Sequence, residues 1–357
     1  MKTKKVLSLV LAMAMSVALL TGCGAKKPTG APATSGGDDP VPTPSGDGYP
    51  NRSITLVVPF DAGGATDLLA RAMQPKMEEY LGTTIAVQNM AGGNTAVGNQ
   101  FVLDADPDGY TIVMQATEIA NLWTMNQSDI TYRDFSYIGM TAAVPGILVV
   151  HPDSPLNNLQ DLAEALKTEQ LTVGVCGGGC AWTLTMGLFV DAVNGMSPEY
   201  IAQGSGKNAA IAAMKKEVDI GSCGIPEVVE LLQGGELKAL GAFTAEDIEL
   251  EGYGTIESIA KTCPELADFL PYGGFVGMAA PNDVPQEVVD KLCEAFAYAF
   301  DDPELMSYME SSHFVPLGYV GKDAEDYVIM RESLNASLLW DLGIGQRDPA
   351  DKGIKHF

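Results

Sequence analysis

The sequence predicts an α/β protein with mixed, mostly parallel sheets, and three observations carry that prediction. Short apolar runs suited to buried strands alternate with amphipathic stretches of helical period along most of the chain. Three times a strand pattern runs into a glycine-rich turn and then a helix, at residues 60–67, 89–98 and 176–183. About 307 residues follow a low-complexity lead, and an apolar content of 46% gives them material for a substantial core, as one large domain or two lobes.

The lead itself has two parts. Residues 1–23 open with Lys2, Lys4 and Lys5, continue as a 15-residue apolar run from Val6 to Leu20, and end in Thr21-Gly22-Cys23. That run is short for a helix crossing a ~30 Å hydrocarbon layer. A basic start, short apolar core and small-residue cleavage site read as an export signal. Cysteine directly after the cut marks it as a lipoprotein signal, with Cys23 the lipid-attachment residue; a plain secretory signal is the alternative. Two acyl chains on one diacylglyceryl group give stable anchoring. Residues 24–50 are rich in Gly, Pro, Ser, Thr, Ala and Asp and read as a flexible tether. The expected location is extracytoplasmic, anchored by lipid to the outer face of the cytoplasmic membrane.

The body then alternates. Residues 53–59 form an apolar strand and break at Pro59-Phe60-Asp61-Ala62-Gly63-Gly64. A helical pattern begins at Thr66, with Thr66 or Asp67 as N-cap and Leu69, Met73 and Met77 on one face; Pro75 should kink or divide it. Residues 85–89 are a second strand, 96–104 a helix, 106–109 a turn by its Asp-Pro-Asp-Gly chemistry, and 110–116 a third strand. Residues 146–151 form a strand leaving the first lobe. Helices at 158–167, 182–193, 209–216 and 226–233 then alternate with strands at 171–175, 218–222 and 237–243. Residues 273–280 form a strand returning to the first lobe, and helices at 285–300, 303–311 and 322–342 close the chain.

Charge and rare residues exclude several functions. The formal net charge is −25; without the three signal lysines the 21 basic residues fall to 18 against 46 acids, a net of −28. Such a field repels nucleic acid and acidic headgroups, so no nucleic-acid partner is expected. With Cys23 lipidated, Cys176, Cys180, Cys223, Cys263 and Cys293 remain, an odd set that allows two disulfides at most. The connectivity stays open, a bridge from Cys176 or Cys180 to Cys223 included. Cys176-x-x-x-Cys180 has a metal-binding alternative, but no second CxxC and no nearby His supports it. His151, His313 and His356 are dispersed, so no nucleophile–base pair can be assembled and no enzyme activity, metal or cofactor is expected.

The glycine turns carry the chemistry. In open α/β sheets ligands sit beyond the carboxyl ends of the strands. Helix N-termini there present unpaired N–H groups and partial positive charge, and glycine allows close approach. Three converging turns can hold a carboxylate without Lys or Arg, and the turns contain neither. Nucleotide fingerprints fail: no G-x-G-x-x-G closes after Gly177, and Gly204-Ser205-Gly206-Lys207 lacks the frame of a P-loop. Asp67 either caps its helix, braces the turn or accepts from a ligand donor. Trp182 either flanks ligand or packs in the core.

At these residues the chain resembles the substrate-binding proteins of tripartite tricarboxylate transporters, also called Bug receptors. The likeness runs through Tyr49-Pro50-Asn51-Arg52-Ser53-Ile54, Leu56 to Asp67, Ala70-Arg71, Leu81-Gly82, Val87-Gln88-Asn89, Gly92-Gly93, Gly98 and Asp106-Pro107-Asp108-Gly109-Tyr110-Thr111. Weaker matches follow at Val218-Asp219, Gly234 to Leu240 and Ala279-Ala280-Pro281. The resemblance implies a two-lobed periplasmic-binding-protein fold, type II-like, with the ligand cleft between lobes: residues 51–148 and 273–357 in lobe 1, 149–272 in lobe 2. It implies a monomeric receptor that captures a small carboxylate and delivers it to membrane permease subunits. A receptor presenting ligand to a membrane kinase, a surface hydrolase and a structural adhesin are the alternatives. The candidate ligand-binding residues are Phe60, Ala62, Gly63, Gly64, Thr66 and Asp67 in the first turn, with Asn94 and Thr95 in the second. Thr117, Gly178, Gly179, Cys180, Gln203, Gly204 and Cys223 complete the set. Cys180 stands where the family usually has a hydroxyl, and a thiol is a weaker donor.

Overall fold

The computed structural model describes residues 48–355. The signal segment with Cys23, nearly all of the tether, and His356 lie outside the described residues.

Strand β1 (Ile54–Val58) pairs in parallel with β2 (Ile85–Asn89) and β3 (Thr111–Ala116). Helices α1 (Ala65–Leu81) and α2 (Ala96–Leu103) make the crossovers. Pro75 lies inside α1, which continues through it undivided. Strand β4 (Phe135–Val150) is 16 residues long and joins the two halves of the molecule. Its first part pairs antiparallel with β11 (Gly273–Pro281) and β12 (Val315–Val320), its last part with β7 (Ile220–Gly224) and β8 (Lys238–Ala242). The second half adds β5 (Thr172–Val175), parallel to β7 and to β6 (Glu199–Ala202). Its helices are α3 (Leu159–Ala165), α4 (Ala181–Ala192), α5 (Gly206–Met214) and α6 (Val229–Gln233). A small hairpin, β9 (Ile248–Leu250) with β10 (Gly254–Ile256), stands apart. The chain returns through β11 to α7 (Gln286–Phe300), α8 (Pro303–Ser311) and α9 (Lys322–Asp341).

The main sheet runs β2-β1-β3-β11-β4-β7-β5-β6. Parallel pairs thus lie toward both ends, and antiparallel pairs through β4 and β11 join them. Burial of both faces explains the continuous apolar strands. Along β1, Ile54, Leu56 and Val58 enter the cluster that includes Met73, Met77, Leu292 and Phe296. Val57, pointing the other way, meets Val113, Phe275 and Val328. On β4, Leu148 and Val150 share the first cluster, while Ile147 and Val149 pack against Ala210 and Ala213 of α5. Among the described residues no helix is long and apolar enough to cross a membrane.

Five features differ from the sequence expectation. The strand expected at 146–151 begins at Phe135, β6, β12 and the β9–β10 hairpin were not expected, and the helix expected at 226–233 starts as a 3₁₀ turn at Ile225–Glu227.

Candidate functional site

All three glycine turns follow the carboxyl ends of parallel strands, β1, β2 and β5, and face one another across the break between the half-sheets. A cavity of about 30 Å³, room for a water or two, lies between Phe60, Gly64 and Thr66 of the first half and Trp182, Ser205 and Gly206 of the second. Phe60 and Cys176 also border a recess of about 400 Å³, lined by Gly93, Asn94, Thr95, Gly177 and Gly178. Among the described residues no Lys, Arg or His lines either space.

The two halves meet through polar contacts. Gln127 Nε2 and Asn94 Nδ2 donate to the Gly178 carbonyl at 2.7 and 3.3 Å, and Asn121 Nδ2 donates to the Gly179 carbonyl at 2.9 Å. Asn208 Nδ2 donates to Asp61 Oδ2 at 3.1 Å.

Two buried glutamates span the same gap. Glu118, 2% exposed and just past β3, accepts from Ala181 N–H at the start of α4, at 3.1 Å. Glu227, 4% exposed and just past β7, accepts from Ala65 N–H at the start of α1 at 3.2 Å. It also accepts from Gly224 N–H at 2.7 Å and from Lys207 N–H. Each carboxylate therefore tops a helix N-terminus of the opposite half, where N–H groups and the dipole favour anions. Burial pushes the Glu227 carboxyl up to about 7 against the pull of its three backbone donors and, least, the Lys207 charge. Burial likewise raises Glu118, against the Ala181 N–H, its own N–H and the Cys176 thiol.

Of the expected residues, Phe60, Gly64, Thr66 and Thr117 line the cavity, and Asn94, Thr95, Gly178 and Gly204 the recess. Ala62, Gly63, Asp67, Gly179, Cys180, Gln203 and Cys223 line neither. Gly63 holds the first turn at φ +84°, a conformation costly for other residues. Asp67 is 3% exposed and binds within its own lobe: Gly63 N–H at 2.9 Å, Asn89 Nδ2 at 3.0 Å and Arg71 Nε at 3.0 Å. Burial raises its carboxyl, but these donors outweigh that and leave it below the ordinary aspartate value. Asp67 thus braces the turn from behind. Asp67→Ala should lower stability by roughly 1–3 kcal/mol and weaken ligand capture with it; an unchanged Tm would contradict the brace. Trp182 lines the cavity at the head of α4. Glu118, Glu227, Ser205 and Gly206 were not anticipated. Glu118 and Glu227 stand just past the carboxyl ends of β3 and β7, and that position is the signal that could have found them.

All five cysteines of the described residues are unbridged. An Ellman titration of the delipidated, unreduced protein should count five thiols; three would mean one bridge. Glu118, Cys176 and Cys180 bring one ligand atom each to within 4.8 Å of one another, a spacing that fits a thiophilic metal. Burial holds the Cys176 thiol protonated, and Glu118 already tops α4, so the trio is accounted for as a helix cap with two packed thiols. His151 and His313 lie on separate surface depressions, away from the cleft.

Comparison with known proteins accords with this geometry. A family model described as the tripartite tricarboxylate transporter family receptor matches residues 69–335. A UPF0065 protein of Bordetella pertussis is 26% identical over 302 residues, covering 84% of this chain and 92% of that protein. The solved structure of the periplasmic binding protein BugD superposes with a TM-score of 0.76 at 25% identity, covering 84% of this chain and all of that one. MatC of Rhodopseudomonas palustris, solved with bound malate, superposes at 0.72 with 22% identity, covering 82% and 100%.

Proposed function

Because this chain belongs to the tripartite tricarboxylate transporter receptor family, we propose that it is an extracytoplasmic solute receptor that captures a small carboxylate between its lobes and passes it to membrane permease subunits. The proposed lobes are residues 51–148 with 273–357, and 149–272. Cys23 anchors the receptor to the outer face of the cytoplasmic membrane, and residues 24–50 let it reach the permease as a monomer. MatC, a relative in fold, binds malate.

One observation carries the reading. The interlobe spaces are walled by glycine turns and helix N-termini and, among the described residues, hold no basic side chain. Backbone amides suit a carboxylate there, and two of these helix starts already hold glutamate carboxylates. Contacts come from both lobes, so a bound ligand favours the closed arrangement. The proposed contact set is Phe60, Gly64, Thr66 and Thr117 at the cavity and Asn94, Thr95, Gly178 and Gly204 at the recess. Ala62, Gly63, Asp67, Gly179, Cys180, Gln203 and Cys223 shape the turns and strand ends behind them.

A thermal-shift screen of mono-, di- and tricarboxylates tests this. A ligand at a hundredfold its Kd should add about 2.7 kcal/mol of stability. No shift with any carboxylate, or conversion of the bound acid to product, would overturn the assignment.

A further inference from the structure

A plain carboxylate does not balance the charges in this cleft. Glu118 and Glu227 approach one cavity from opposite lobes, 2% and 4% exposed. Among the described residues no Lys, Arg or His lines the cavity or the recess beside it. The helix starts best suited to a ligand carboxylate, at Ala65 and Ala181, already carry these two side chains. A carboxylate offers about four acceptor positions. Glu227 uses three of them on Ala65, Gly224 and Lys207 N–H. Glu118 uses three on Ala181 N–H, its own N–H and the Cys176 thiol. Both keep capacity for one more donor.

A second observation lies in the recess. Thr95 is 2% exposed, yet its hydroxyl has no hydrogen-bond partner among the described residues, although buried polar groups are almost always paired. It borders the space that shares Phe60 and Cys176 with the cavity. The unmet needs of the cleft thus include a positive or N–H-bearing group beside the glutamates and hydrogen-bonding partners at the Thr95 hydroxyl and at Asn94 Oδ1. Two acidic side chains already face the cavity, and a further negative charge would be disfavoured in so dry a place.

We infer that the cleft selects a small carboxylate that also bears a protonated amine, the ammonium facing Glu118 and Glu227 and the carboxylate directed to the Thr95 hydroxyl. The inference rests on the receptor reading and narrows it. Glu118 and Glu227 become the specificity determinants: they repel a simple diacid and pair with its amino analogue. The net charge of −25 acts in the same direction, since it penalises a dianion more than a zwitterion.

The test is calorimetry on the full chain with matched probes, succinate against aspartate and glutarate against glutamate, backed by a wider panel of amino and plain carboxylates. The amino member of a pair should bind at least tenfold tighter. Glu118→Gln and Glu227→Gln should each weaken it tenfold or more and leave the plain diacid unchanged or tighter, with circular dichroism confirming the fold. Should a Gln variant fail to fold, the matched pairs on the unaltered protein still decide. Plain diacids binding as tightly as their amino analogues would overturn the inference alone. So would Gln variants that tighten plain diacids without weakening amino acids, since the glutamates would then be stand-ins displaced by ligand. If no carboxylate of either kind binds, the receptor reading falls as well.

Discussion

Gly206→Ala should lose about 2–4 kcal/mol of stability and at least tenfold in ligand affinity. A methyl at Gly206 would stand 1.9 Å from Glu227 Oε2 and 2.8 Å from Oε1. The glutamate cannot simply yield, because Ala65, Gly224 and Lys207 N–H groups hold its carboxylate. Pushing it aside leaves buried donors unpaired, at about 1–3 kcal/mol each. Alanine in the first turn of α5 regains up to ~1 kcal/mol of helix propensity, which offsets only part of the loss. The effect belongs to one contact and can be isolated. In a Glu227→Ala background the same substitution should be neutral or stabilising, and the difference is a coupling energy. Equal effects in both backgrounds would mean that Gly206 is not there to admit the Glu227 carboxylate.

The second large effect is a rise in stability on mild acidification. Burial lifts Glu227 and Glu332 to about 7, Glu332 against its partner Arg133, while an unfolded glutamate titrates near 4.5. A carboxyl raised in the folded state contributes stability that is full below the unfolded value and lost as pH climbs through the folded one. Each of these nearly dry groups is worth on the order of 3 kcal/mol across that window. Asp67, Asp129, Asp153 and Asp247 are lowered instead, so their contributions fade only below the ordinary aspartate value. His313, lowered by burial, opposes the trend modestly as pH falls through 6.5. The melting temperature should therefore increase by several degrees from pH 8 to pH 5.5. Glu227→Gln should flatten the slope. A melting temperature that falls over this interval would show that the glutamates are ionised without penalty.

Much of this was legible in the sequence, for physical reasons. The parallel units at β1–α1–β2 and around β5 announced themselves because both faces of their strands are covered and their turns need glycine. The first nine residues of β4, Phe135 to Ala143, alternate no polarity and include Gly139 and Thr141, so nothing marked them as a strand. β12 holds Pro316 and Gly318, residues that usually break strands, and it pairs where β4 changes register. The first glycine turn was found, but its carboxylate partner was not. Glu227 lies 162 residues from Ala65, and an isolated acid in sequence reads as a solvated surface group. Only the position just beyond a strand's carboxyl end distinguishes it. Asp67 was visible as a helix-start acid, yet its role as a brace depends on Asn89, which reaches it from the next strand.

The most direct test of the account is a crystal structure of the receptor with its ligand bound. It should show the ligand carboxylate about 3 Å from backbone N–H groups or hydroxyls of the glycine turns, with Lys and Arg side chains absent from its contacts. A ligand carboxylate clasped by a basic side chain, or a ligand seated outside the interlobe cleft, would contradict it.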